Sequence, residues 1–185
     1  MSIWKTAYAC AALVALTVAA CGLAYPVAIA IVSELAFPGG AHGSPVYDNG
    51  TLVGSRLIGQ DFSGPAYFHS RPSAVGYNAS ASGASNLGPY NPALIAAVKE
   101  RIEDGSTTAD AALASGSGLD PDISVENAMS QAPRVARENG LDEEAVKTLI
   151  NERTQGRFII WGEPRVNVLE LNLAVKEMKE SKVKV

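Results

Sequence analysis

The side chains that could do chemistry are few and widely spaced. Two histidines occur, His42 and His69, with no cysteine near either in sequence, and no His-Glu-x-x-His pattern presents two imidazoles on one helical face. A histidine pair alone more often packs or hydrogen-bonds than holds a metal, so no metal ligand set is assigned. Gly83-Ala84-Ser85 and Gly116-Ser117-Gly118 contain glycine, but neither continues to the Gly-Lys-Ser/Thr that cradles phosphates, and both read as turns. A Ser-His-Asp triad can be assembled on paper around His69, yet no Gly-x-Ser-x-Gly elbow supports it. The chain is therefore expected to carry no catalytic residues and no tightly bound cofactor.

Charge and cysteine distribution narrow the classes further. Lys5 is the only charged residue before Glu34. The chain beyond residue 33 thus holds 14 of the 15 basic residues and all 19 acidic ones, a net charge of −5. Nucleic acid is not an expected partner, because phosphate neutralisation needs clustered Lys and Arg. The one basic cluster, Lys176 to Lys184, alternates with Glu177 and Glu180 and reads as a solvated tail. Cys10 and Cys21 are the only cysteines, so residues 34–185 can form neither a disulfide nor a thiolate metal site.

Both cysteines lie in an uncharged run from Thr6 to Ser33. As a helix this run would rise about 42 Å, against a hydrocarbon core of about 30 Å. A cleaved secretory signal would be shorter. Val18-Ala19-Ala20-Cys21 resembles a lipobox, but the apolar sequence continues from Gly22 to Val32 where a lipoprotein turns polar. A retained anchor in contact with membrane lipid explains the whole segment, with Pro26 as a kink. Lys5 favours a cytoplasmic N-terminus. The expected organisation is residues 1–5 in the cytoplasm, 6–33 as a transmembrane helix in the cell (inner) membrane, and 34–185 as an extracytoplasmic domain.

That domain reads as α+β. Asn49-Gly50 between β-prone residues signals a hairpin. Residues 59–92 are rich in Gly, Ser, Asn and Pro, but Phe62, Tyr67, Phe68, Tyr77 and Tyr90 mark the stretch as ordered and irregular rather than a linker. Asn91-Pro92 starts a helix over 92–104, with Leu94, Ile95, Val98 and Ile102 on one face. Gly105 to Asp110 reads as polar and mobile. Ser124 starts a second helix that Pro133 should bend or end. Gly140 closes this unit, and Asp142 opens a third helix with Val146, Leu149 and Ile150 inward. Phe158 to Trp161 suggests a short strand, and Asn167 to Glu170 the capped start of a final helix.

Several blocks together resemble one family, the C subunit of the Kdp potassium-transporting P-type ATPase. They are Tyr25-Pro26, Gly54-Ser55-x-Leu57-Ile58-Gly59-Gln60, and Tyr67 through Ser73. Ser82 through Gly88, Ser115 through Asp120, Pro133-Arg134-Val135-Ala136 and Gly162 through Ala174 follow in order. The stretch Gly105–Ala114 departs from the Pro-Val-x-Leu-Val-Thr lead-in associated with the family.

The resemblance implies an accessory subunit of a high-affinity potassium uptake complex, partnered by a channel-like subunit and a P-type ATPase subunit. This chain lacks the Asp-Lys-Thr-Gly of such pumps. The family is described as a catalytic chaperone that raises the ATP affinity of the ATPase subunit, and ATP contact has been attributed to it. An extracytoplasmic domain would sit away from ATP, so such an effect would pass through the helix or the channel-like subunit. The alternative is a single-pass, membrane-anchored sensor or binding domain with no transport role. For partner contact the candidates are Tyr67, Phe68, His69 and Arg71, then Asn86 and Tyr90, since Tyr and Arg are enriched at interface hot spots. Equally, Phe68 could fill the core while Arg71 pairs with a nearby carboxylate.

Overall fold

The computed structural model describes residues 2–157 and 160–183, in two compact units divided at Ser44/Pro45. The first unit is built on a helix from Ile3 to Ala36, 34 residues long, apolar enough to cross a membrane and with none of its span buried by protein. It reaches beyond the uncharged run at both ends. It comprises α1 (Ile3–Thr17), a π-helical turn (Val18–Ala24) and α2 (Tyr25–Ala36). The π turn is the local answer to Pro26. A proline ring would meet the carbonyl four residues back in a regular helix. Here the Tyr25 N–H instead bonds Ala20 O, five residues back, so one residue is looped out before the proline. Cys21 lies within this turn, with helix on both sides. Phe37 leaves helical geometry, and the single turn α3 (Pro38–Ala41) follows, with His42 Nε2 3.1 Å from Glu34 Oε1.

The second unit is α+β. β1 (Pro45–Asp48) and β2 (Thr51–Ser55) form the expected hairpin, and Asn49 and Gly50 both have positive φ, as a two-residue turn matching strand twist demands. No helix or strand follows until α4 (Pro92–Glu103), capped by Asn91, whose side chain accepts from the Ala93 N–H. Then come α5 (Ala109–Ala112), β3 (Asp122–Ser124), α6 (Val125–Asn139), α7 (Glu143–Arg153), β4 (Arg165–Asn167) and α8 (Val168–Val183). β3 and β4 pair antiparallel, and β4 runs directly into α8. The core gathers Phe68 from the irregular segment and Ile123, Val135, Val146, Ile150, Val166, Leu171 and Val175 from β3, α6, α7, β4 and α8.

Four sequence expectations change. The stretch from Gly105 to Asp110 is anchored: the Asp110 carboxylate accepts from the Ser124 N–H (2.8 Å), the Ser124 hydroxyl (3.1 Å) and the Asn127 amide (3.1 Å). Burial pushes the Asp110 carboxyl up, but the Ser124 and Asn127 donors outweigh it and hold the group below its ordinary range. α6 continues through Pro133 to Asn139, where Gly140 takes the left-handed cap conformation. The basic C-terminal stretch is helix as far as Val183, with Lys184 outside the described residues: Lys176 pairs with Asp48, and Lys182 donates to Gly140 O at 2.6 Å. Finally, Phe158 and Ile159 of the expected strand lie outside the described residues, Ile160 and Trp161 stand exposed, and the strand is Arg165–Asn167.

The irregular segment is held by side chains. Asn172 of α8 accepts from the Phe68 N–H (2.7 Å) and donates to the Phe68 carbonyl (3.0 Å). Asn172→Leu would strand both buried backbone groups, each costing about 1–3 kcal/mol. Thermal unfolding of the variant should fall by at least about 4 °C; an unchanged melting temperature would show that Phe68 finds other partners.

Candidate functional site

Residues 61–77 have no ladder of their own, and α6 and α8 supply what a neighbouring strand would. Gln131 repeats on His69 what Asn172 does on Phe68, accepting from the N–H at 2.8 Å and donating to the carbonyl at 3.2 Å. Arg134 donates to Tyr67 O at 2.9 Å, to Gln131 Oε1 at 2.8 Å and also to Pro65 O, while Asn139 donates to Ala66 O at 2.7 Å. Arg71 reaches the other way. Its guanidinium pairs with Asp120 Oδ2 at 3.0 Å, and its carbonyl accepts from the Tyr77 hydroxyl at 2.8 Å. The Ser115 N–H donates to Pro72 O, and the Ser73 hydroxyl to Gly118 O, so residues 71–73 are laced to 113–120. Gly118 has φ +67°, and a Cβ there would lie 2.7 Å from Gly83 O, so only glycine fits this close crossing.

The six residues singled out from sequence therefore separate. Phe68 is fully buried. His69 is half-buried, its Nε2 donating to Gly64 O at 3.0 Å. Tyr67 is partly exposed and tilts its ring against Phe62. Arg71 is a brace between loops. Asn86 has positive φ and Tyr90 is 92% exposed, both just ahead of α4.

The apolar row expected on one face of α4 is only partly covered: Leu94 and Val98 are half-buried, and α4 has no fully buried residue. Ile95 and Ile102 are each 55% exposed, and Leu87 and Leu113 also reach solvent. A helical stripe shows that one face is apolar without showing whether the covering surface belongs to the same chain, so no sequence signal separated the two cases. Gln131 and Arg134 were missed as individual holders because a polar side chain that binds irregular backbone leaves no periodic trace.

Between the irregular segment, the C-terminal end of α4 and α6 lies a cleft of about 420 Å³. His69, Asp61, Tyr77, Arg101, Asp104 and Arg134 line it. Burial holds the His69 imidazole below its usual pKa, against the raising effect of its bond to Gly64; Arg134 adds to the lowering and Asp61 opposes it. The Tyr77 phenol is pushed up, mainly by burial and further by Asp61. No group of three or more metal-ligating side chains occurs among the described residues.

A family model described as K+-transporting ATPase, c chain, matches residues 7–177. A protein of Janthinobacterium sp. (strain Marseille) described as potassium-transporting ATPase KdpC subunit is 54% identical over 170 residues, covering 85% of this chain and 90% of its own length. Proteins of the same description from Variovorax paradoxus (strain S110) and Rhodopseudomonas palustris (strain BisB5) are 53% and 47% identical. They cover 88% of this chain each, and 91% and 92% of their own lengths.

The depressed His69 pKa has a defined sign. The folded state favours neutral imidazole, so this stabilisation is fully present above the unfolded pKa of about 6.5 and is lost as pH falls through the lower folded-state value. Urea unfolding of wild type and His69→Gln should differ most at neutral pH and converge on acidification. Parallel pH profiles would show that the imidazole makes no contribution there.

Proposed function

Because the chain belongs to the family of the C chain of K+-transporting ATPases, we propose that it is the single-pass accessory subunit of a high-affinity potassium uptake complex. In this reading Ile3–Ala36 crosses the inner membrane with the N-terminus in the cytoplasm, and the domain lies outside. The observation that supports a docking role is the uncovered apolar row of α4. Ile95 and Ile102, seven residues apart, share a face, and Leu87 and Tyr90 lie exposed just ahead of the helix. An exposed apolar row of this kind on a helix fits the surface of a protein partner.

The channel-like subunit is the proposed occupant, since it shares the membrane with the anchor. The P-type ATPase subunit completes the complex. The domain supplies no reacting group in this proposal: its polar side chains are spent on holding backbone, and no phosphate cradle was found in sequence. Any promotion of ATP use by the ATPase subunit would follow from assembly, transmitted through the helix or the channel-like subunit. The reading as a membrane-anchored sensor yields to this one because the family match spans nearly the whole chain.

Two measurements test the proposal. With Cys10 and Cys21 replaced by alanine, Ser85→Cys in the exposed loop should react with a membrane-impermeant maleimide in intact cells; reaction only after lysis would overturn the orientation. The double variant Ile95→Glu/Ile102→Glu should keep its melting temperature. It should nevertheless lose about thirtyfold or more in affinity for the remaining subunits by co-purification, the effect of a hot spot of about 2 kcal/mol. Unimpaired assembly would place the interface elsewhere.

A further inference from the structure

The 420 Å³ cleft beside His69 has a feature that assembly does not explain. Most of its polar side chains are already engaged. Arg134 is taken up by Pro65, Tyr67 and Gln131, and Gln131 by His69 and Asn127. The Tyr77 hydroxyl is held by Arg71 O, the Ser130 hydroxyl by Asn127 O, and His69 Nε2 by Gly64 O. Three charged groups stand apart from this pattern, Asp61 on the irregular segment and Arg101 and Asp104 on or beside α4. The Asp61 and Asp104 carboxylates make no hydrogen bond or ion pair among the described residues. The Arg101 guanidinium makes one hydrogen bond, to Ala112 O at 2.8 Å, and no ion pair among the described residues. They line one cleft without neutralising each other.

We propose that this cleft binds a small zwitterion carrying one ammonium and one carboxylate group, an α-amino acid in its simplest form, with the ammonium on Asp61 and the carboxylate on Arg101. Opposite charges left unpaired on two walls favour a ligand carrying both signs, because each end then meets an opposite charge. A simple anion would gain Arg101 but face Asp61 and Asp104, and a simple cation would gain the carboxylates but face Arg101 and Arg134. Those four charges cancel, with His69 favouring its neutral form, so the cleft as a whole attracts neither sign strongly. Asp61 and Arg101 act on the same Tyr77 phenol with opposite sign, which puts both within electrostatic reach of one point. Phe62 and Pro72 add apolar wall for a side chain, and the volume lies within the range of small-ligand sites.

The test is calorimetric titration of the full chain in detergent micelles with glycine, serine, glutamine and leucine, and with methylamine and acetate as single-charge controls, up to about 10 mM. At least one amino acid should bind saturably, and both single-charge compounds at least about tenfold more weakly. Asp61→Asn, at an exposed position, should weaken amino-acid binding by about tenfold or more with the melting temperature unchanged. Arg101→Gln should do the same, and if it fails to fold the decision rests on Asp61→Asn. No saturable binding of any of the four amino acids, equal binding of a single-charge compound, or an Asp61→Asn variant that binds normally would each overturn the proposal.

Discussion

A buried segment with no strand partner must still satisfy its backbone polar groups, and this domain is organised around meeting that demand at Pro65–His69. Phe68 is fully buried, so its N–H and carbonyl have no access to water. A side-chain amide is the one neutral group that offers a donor and an acceptor at peptide spacing. Asn172 and Gln131 use that property on consecutive residues, from two different helices. The backbone of Phe68 and His69 is thereby paired without a ladder, which leaves the segment free to turn.

Much else follows from this arrangement. Gln131 can reach His69 only if α6 starts at the right place, and its start is held by Ser124 capping the Asn127 N–H while Asp110 grips Ser124 and Asn127. The four-residue α5 thus acts as a peg rather than as core. Asn172 in turn depends on the start of α8, where the Asn167 side chain accepts from the Glu170 N–H and donates to Arg56 O. The hairpin is tied to the same helix through Lys176 and Asp48. Because the holders lie on helices and the held groups on loops, a change in one helix would be felt across residues 56–77.

Legibility in the sequence divided along physical lines. Elements announced by caps and periodicity were readable: Asn49-Gly50, Asn91-Pro92, Ser124, Gly140, Asp142 and Asn167 each mark a boundary the structure keeps. Phe62, Tyr67, Phe68 and Tyr77 rightly marked residues 59–92 as ordered, whereas Tyr90 projects outward. The three-residue strands β3 and β4 were not readable, since so short a run has no alternation to detect. Gly105–Asp110 looked mobile because its anchor is one carboxylate used at long range. The α4 row was visible as a pattern, but amphipathicity marks an apolar face without naming what covers it.

That ambiguity bears on how such a domain works. In the proposed accessory role the domain would act on its partners through what it holds in place, for which rigidity and an uncovered surface are the needed properties. The two are found on different elements here. α6, α7 and α8 supply the core and the side chains that lock the irregular segment, while α4 contributes no buried residue. Arg101, near the end of α4, joins it to the body by bonding Ala112 O, and α5 is in turn pegged to α6 through Asp110. A load applied to the exposed face of α4 would therefore pass through α5 to the start of α6, and from there through Gln131 to His69 and the cleft. α4 also borders the cleft directly through Arg101 and Asp104, so the polar network that fixes the fold ties the helix to the cleft's far wall as well as its near one.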